Sequence, residues 1–184
     1  MASEKVAKNG EISKKADYRS IIQRTAVSNG PLHLITVCVD SGEHSRMSGR
    51  IYHRFSQQPI TFLGAEGVLF SIEKLMDEWD YPQSTLKMRS FAPPSPHQRR
   101  QPGMARKAIN DPLAYTGQDA TFVVHVKYRQ NATWQGTVTW ADKNKQQNFR
   151  SALELIKLMD SAMDENLPPE QEQTAEQGAA LING

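Results

Sequence analysis

The chain runs through one order of elements twice, and that repetition restricts its folds more than any other feature of its 184 residues. HLITVCVD (33–40), SGRIYHRF (48–55), PITFL (59–63) and GAEGVLFSIEKLMDEW (64–79) form the first pass. TFVVHVKYR (121–129), WQGTVTW (134–140), QQNF (146–149) and RSALELIKLMDSAM (150–163) form the second. Val37, Val39, Gly49 and Phe62 align with Val124, Val126, Gly136 and Phe149 at a single offset, and Lys74-Leu75-Met76-Asp77 recurs as Lys157-Leu158-Met159-Asp160. The spacing from Phe to KLMD differs by four residues. Four residues are close to one helical turn, so the first helix is longer while its apolar face keeps its place.

Each pass reads as three strands and a helix. Phe122, Val124, Val126 and Tyr128 alternate with Val123, His125, Lys127 and Arg129, the period of a half-buried strand. Gln130 to Thr133 supplies the following turn, and Asp142-Lys143-Asn144-Lys145 a second polar turn. Ser151 and Glu154 have capping-box spacing, in which the hydroxyl accepts from the N3 amide and the carboxylate reaches back to the N-cap amide. A three-stranded sheet with one helix is small for independent stability. The predicted fold class is therefore α+β, with two pseudo-repeats of three antiparallel strands followed by one helix, packed as one pseudo-symmetric domain.

The organisation predicted along the chain is a mostly disordered basic segment over 1–30, a first βββα unit over 31–82, and a Pro-rich basic linker over 83–117. A second βββα unit over 118–164 and a disordered acidic tail over 165–184 complete it. The N-terminal segment contains one short helical pattern, DYRSIIQRTAV. Between 82 and 110 lie six bases (Lys87, Arg89, Arg99, Arg100, Arg106 and Lys107), no acid, and prolines at 82, 93, 94, 96 and 102, a composition that suits a semi-extended connection. The formal charge of +2 imposes no global field toward nucleic acid or membrane. No stretch approaches the ~18 apolar residues of a membrane span, and no apolar signal region opens the sequence. A cytoplasmic protein with no membrane partner is expected.

The chemistry-bearing residues do not assemble a reaction. None of the five histidines has helical spacing to a second ligand and the single cysteine has no mate, so no metal site is expected. GAEG lacks the lysine of a phosphate loop. No catalytic residue, cofactor or enzymatic activity is assigned. Cys38 lies inside an apolar run and reads as a buried, unreactive thiol.

Trp134, Gly136, Val138 and Trp140 share one strand face, opposite Gln135, Thr137 and Thr139. The tryptophan face reads as core, with Trp134 the more exposable of the two rings, and the threonine face as solvated. The matched Gly49 and Gly136 imply a bulge or a close approach by the facing helix. The second helix carries more apolar residues than one face needs. Its surplus, Leu155 and Leu158, together with Trp134, forms the candidate protein contact.

At RQNATWQGTVTW followed by FRSALELIKLMDSA, the chain resembles a family of small bacterial proteins that carry this combination near their C-termini. The resemblance covers roughly 121–163, about a quarter of the chain. It implies a bacterial protein and transfers no activity or site. By architecture alone, duplicated units of several strands plus a helix resemble the PUR and Whirly type of single-strand nucleic-acid-binding domains, whose sheets present aromatics and bases to the nucleotide chain. Here three strands per unit replace four.

Two functions follow as expectations. The first is a non-enzymatic binding or regulatory module acting through protein contacts and self-association. The alternative is single-stranded nucleic-acid binding through the linker bases Arg99, Arg100, Arg106 and Lys107 and a sheet face bearing Arg50, Tyr52, Arg54, Lys127 and Arg129.

Overall fold

The structure, a computed structural model, describes residues 33–42, 46–85, 91 and 107–165. Strands β1 (Ile35–Ser41), β2 (Ser48–His53) and β3 (Ile60–Leu63) precede helix α1 (Gly64–Trp79). A short 3-10 turn at Pro112–Ala114 follows, then β4 (Ala120–Tyr128), β5 (Gln135–Trp140), β6 (Lys145–Phe149) and helix α2 (Ala152–Asp164). The strands form one six-stranded antiparallel sheet ordered β3-β2-β1-β4-β5-β6, so the protein is α+β. The N-terminal helical pattern and the acidic tail beyond Glu165 lie outside the described residues. Among the described residues no helix is long and apolar enough to cross a membrane.

The junction between the halves is the pairing of β1 with β4, with Val37 opposite Phe122 and Ile35 opposite Val124. Both helices pack on one face, over a core that includes Val37, Ile51, Val68, Ile72, Phe122, Val124, Phe149, Leu155 and Met159. In α1 the buried positions Val68, Ile72, Leu75, Met76 and Trp79 fall at helical spacing, as the sequence pattern required. In α2 the buried stripe is Leu155, Met159, Ala162 and Met163.

Leu155 is therefore no surplus residue. It has no exposed surface, because the axis of α2 turns it into the chain's own core. Leu158 packs partly against the same core, and the exposed leucine of this helix is Leu153.

Two matched strand irregularities set the register. β1 pairs Val39 with Gly49 and then Ser41 with Ser48, while β4 pairs Val126 with Gly136 and then Tyr128 with Gln135. Asp40 and Lys127 are the extra residues of the two bulges. Gly49 lies opposite Phe62, and Gly136 opposite Phe149. A Cβ on Gly136 would stand 2.1 Å from the His125 carbonyl oxygen and 2.9 Å from Phe149 Cζ, and one on Gly49 would stand 2.0 Å from the Cys38 oxygen. The close approach at these glycines is made by the adjacent strand and a phenyl ring, in place of the facing helix.

The local signals at the turns and caps act much as their chemistry suggests. Asn131 and Ala132 both take positive φ, 55° and 56°, in the turn between β4 and β5, and Asn144 does so before β6. Ser151 Oγ accepts from the Glu154 amide at 3.0 Å. The Glu154 carboxylate bonds the amide of Arg150 at 2.6 Å, one residue outside the N-cap amide of the capping-box expectation.

The face opposite the helices differs most from expectation. Thr139, expected to be solvated, is buried on it beside Thr36 and Thr121, while Gln135 and Thr137 keep partial exposure. Residues 112–115, inside the span assigned to the linker, pack there: Leu113 joins Leu34, Val123 and Ala141 in a second apolar cluster, and Tyr115 stacks on Tyr52 at 3.7 Å. Asp111 caps the 3-10 turn by accepting from the Leu113 amide.

Cys38 faces this covered side with no exposed surface, and burial pushes its thiol up to about 12. Disulfide-exchange labelling of the native protein should proceed at the rate of global opening and accelerate to that of a free thiol in denaturant. Immediate labelling without denaturant would show that the covering segment is not in place.

Candidate functional site

One end of the sheet gathers most of the aromatic and basic chemistry. There β1 begins, β2 and β4 finish, and α1 ends in a left-handed Asp80 whose amide bonds back to the last turn. Trp79 is buried at that helix end by amphipathic spacing and meets His53 and Phe55 from the end of β2, with ring centroids at 5.3 and 5.4 Å. His33, just before β1, lies 5.5 Å from Trp79 and stacks on Tyr81 at 4.1 Å. Tyr81 remains 40% exposed and Tyr128, closing β4, 55% exposed. Trp79 Nε1 and Arg54 Nε are buried with no hydrogen-bond partner among the described residues.

Behind these rings lies an ionic cluster. The Arg129 guanidinium donates to Glu73 and, at 2.8 Å, to Asp77, both on α1. Trp134 Nε1 donates to the other Glu73 oxygen at 2.8 Å. Arg129 is only 7% exposed. The bulge at Lys127 explains its direction: an extra residue reverses the strand's alternation, turning Arg129 from the polar face to the helix face beside Trp134.

The residues selected from sequence are therefore dispersed. Arg129 is an internal ion-pair partner, and Trp134, at 8% exposure, is a core ring tied to Glu73. Tyr52 is buried under Tyr115. Arg50 is held by Asp40 through two bonds of 2.7 and 2.8 Å and also donates to the Tyr52 hydroxyl. Arg54, Lys127 and Lys107 come to the same end of the sheet, Lys107 through the Ile109 and Asn110 amides that both donate to the Arg54 carbonyl. Lys127 and Lys107 are exposed. Arg99, Arg100 and Arg106 lie outside the described residues. No family model, curated protein or solved structure matches this chain.

Sequence reasoning missed His33, Tyr81 and Tyr128 as a group. The usable signal was positional: Tyr81 stands just past the C-terminus of α1 and Tyr128 closes β4, and residues close to them, Ser84 and Arg129, are bridged. The described residues on either side of 86–106 come to this same place. Ser84 bridges Arg129, the Thr85 amide donates to the Arg129 carbonyl at 3.3 Å, and the Ile109 amide donates to the Arg54 carbonyl at 2.9 Å.

Burial disfavours the charged form of two histidines here, His33 and His125. Burial, then the charges of Lys127 and His33, lowers His125 to about 4, and burial lowers His33. A folded pKa below the unfolded value means the unfolded chain takes up the proton first. The stabilising difference is whole above about 6.5 and drains away as pH falls toward 4. His125 is only half-buried, so after allowance for solvent screening the loss is about 1–2 kcal/mol.

The urea midpoint should fall between pH 6.5 and 5, above the range in which Asp40 and Glu165, both lowered by partners, release their own contribution. His125→Gln should flatten that slope; an unchanged slope would show that other groups set it.

Proposed function

We propose that this protein is a non-enzymatic binding module for single-stranded nucleic acid, and that the contact is made at the end of the sheet where β2, β4 and α1 finish. The observation carrying this reading is that Thr85 and Ile109, which flank the stretch of sequence containing Lys87, Arg89, Arg99, Arg100 and Arg106, are both bonded to the end of the sheet that bears the exposed rings of Tyr81 and Tyr128. Bases stack on aromatic faces while flexible cations follow the phosphates, which is how sequence-tolerant single-strand binding works. Lys127 and Lys107 supply exposed charge at the same end, and Phe91, within the segment itself, is exposed.

The reading through protein contacts loses two of its three candidate residues, since Leu155 and Trp134 are closed into the core, while Leu158 is partly buried. What supports it now is the exposure of Leu63, Phe70 and Leu153. The finer view of the fold, two pseudo-repeats around a local two-fold axis, is supported by the matched bulges, the matched Gly–Phe pairs and the β1–β4 pairing about Thr36 and Val123.

Fluorescence anisotropy with a labelled mixed-sequence single strand tests the function. Binding should weaken with salt, each phosphate contact adding about 0.7 to the logarithmic slope. Tyr81→Ala should reduce affinity about tenfold through lost stacking, and Lys127→Glu should lower both affinity and slope. Absence of any anisotropy change at low salt ends this reading.

A further inference from the structure

Among the described residues β3 is an edge of the sheet, paired only with β2. The Gly64 amide donates to the Met47 carbonyl at 2.8 Å, which makes that opposed pair a hydrogen-bonded one. Such pairs alternate along an antiparallel ladder. Gly49 with Phe62 and Ile51 with Ile60 therefore bond to each other, while Thr61 turns its N–H and C=O, and Leu63 its N–H, to the open edge; the Leu63 carbonyl, at the N-cap of α1, already accepts the first bond of that helix. Both residues are exposed, Leu63 at 72%.

Edge strands are normally guarded by charge, proline or a cover. From Gln57 to Ala65 this chain has no charged residue, and its one proline, Pro59, precedes the strand. The opposite edge, β6, is guarded: Lys145 opens it and Arg150 follows it.

We infer that β3 pairs with β3 of a second copy of this chain, antiparallel about a two-fold axis at Phe62. In that register Thr61 faces the partner's Leu63 and Leu63 faces the partner's Thr61, so each Leu63 N–H meets the partner's free Thr61 carbonyl in two hydrogen bonds, and each Thr61 N–H meets a Leu63 carbonyl that has one lone pair left beside its bond to α1. No like charges are brought together, and the two sheets join into one. A two-fold contact of this kind uses the same patch on both copies and closes after two. A β3–β6 contact would not close, and the β6 lysine disfavours it. This interface rests on the strand edge alone and not on the nucleic-acid reading.

Sedimentation velocity of the full chain, from micromolar to several hundred micromolar, reads the result. The expected outcome is a monomer–dimer equilibrium weakened at least tenfold by Leu63→Lys, which places two cations in the joint, and by Thr61→Pro, which removes an outward amide. Urea midpoints report whether each variant retains its fold. Should Thr61→Pro unfold, Leu63→Lys decides, because that side chain is exposed. The double variant Thr61→Cys with Leu63→Cys should form a covalent dimer on oxidation, Cys38 being buried. A wild-type monomer throughout the range, or a dimer indifferent to Leu63→Lys, overturns the interface.

Discussion

Gly136→Ala should cost about 3 kcal/mol or more, a large part of the ~5–15 kcal/mol that holds a domain together. The added Cβ would stand 2.1 Å from the His125 carbonyl oxygen, a backbone atom that moves only if β4 and β5 part. Phe149 Cζ at 2.9 Å closes the other side. Gly49→Ala meets the same obstacle at the Cys38 carbonyl, with the Phe62 ring at 3.1 Å.

Gly42→Ala is the informative control. Its Cβ would come within 3.0 Å of Met163 Sδ, a flexible side chain that can give way, so its cost should stay below about 1 kcal/mol. Urea midpoints at constant m-value distinguish these cases. If Gly136→Ala proves as mild as Gly42→Ala, the strands are not as closely apposed at the bulge as described.

Arg129→Met should be the next most damaging change, at about 2–4 kcal/mol. Removing one member of a buried ion pair strands the charge of the other, and that stranded charge, more than the lost attraction, sets the cost. Among the described residues Glu73 would keep only the Trp134 indole as donor. Asp77 contributes less, since half of its side chain is exposed. Adding Glu73→Gln to Arg129→Met should recover part of the loss, because the double variant leaves no uncompensated carboxylate at Glu73. A double-mutant cycle separates this coupling from packing. Purely additive losses would mean that Arg129 stabilises through the packing of its stem alone.

The strands and helices were legible because their signals are local. Alternation over 121–128, the apolar spacing of α1 and the Ser151 hydroxyl each act within one element. The Gly–Phe correspondences were also legible, since a strand that passes a phenyl ring so closely accepts no side chain. What escaped depends on chain segments far apart.

The partners of Arg129 lie more than fifty residues upstream, and the bulge that redirects it inverts the parity from which its face was read. Leu155 looked surplus because a composition count along a helix does not reveal the rotation of its axis. Residues 112–115 read as linker from their proline-rich neighbourhood, although Leu113 and Tyr115 are what the covered face needs. For the candidate site, Arg54, Lys107 and Lys127 were selected on charge, whereas His33, Tyr81 and Tyr128 become a group only through the antiparallel register of β1 and β4.

That same central pairing governs how the chain must assemble. β1 and β4 are separated by both outer strands of the first half, a helix and the base-rich segment, so their union closes a long loop. Loop-closure entropy rises slowly with length, by about 0.6 kcal/mol per doubling, so lengthening the segment between Thr85 and Lys107 should scarcely alter stability. It should instead slow the formation of the central pair, because non-local contacts set the rate of folding. Shortening the segment acts in the other direction. Once it can no longer span from Arg129 to Arg54, the first half of one molecule satisfies its open β1 edge with the second half of another, and the expected product is a domain-swapped dimer.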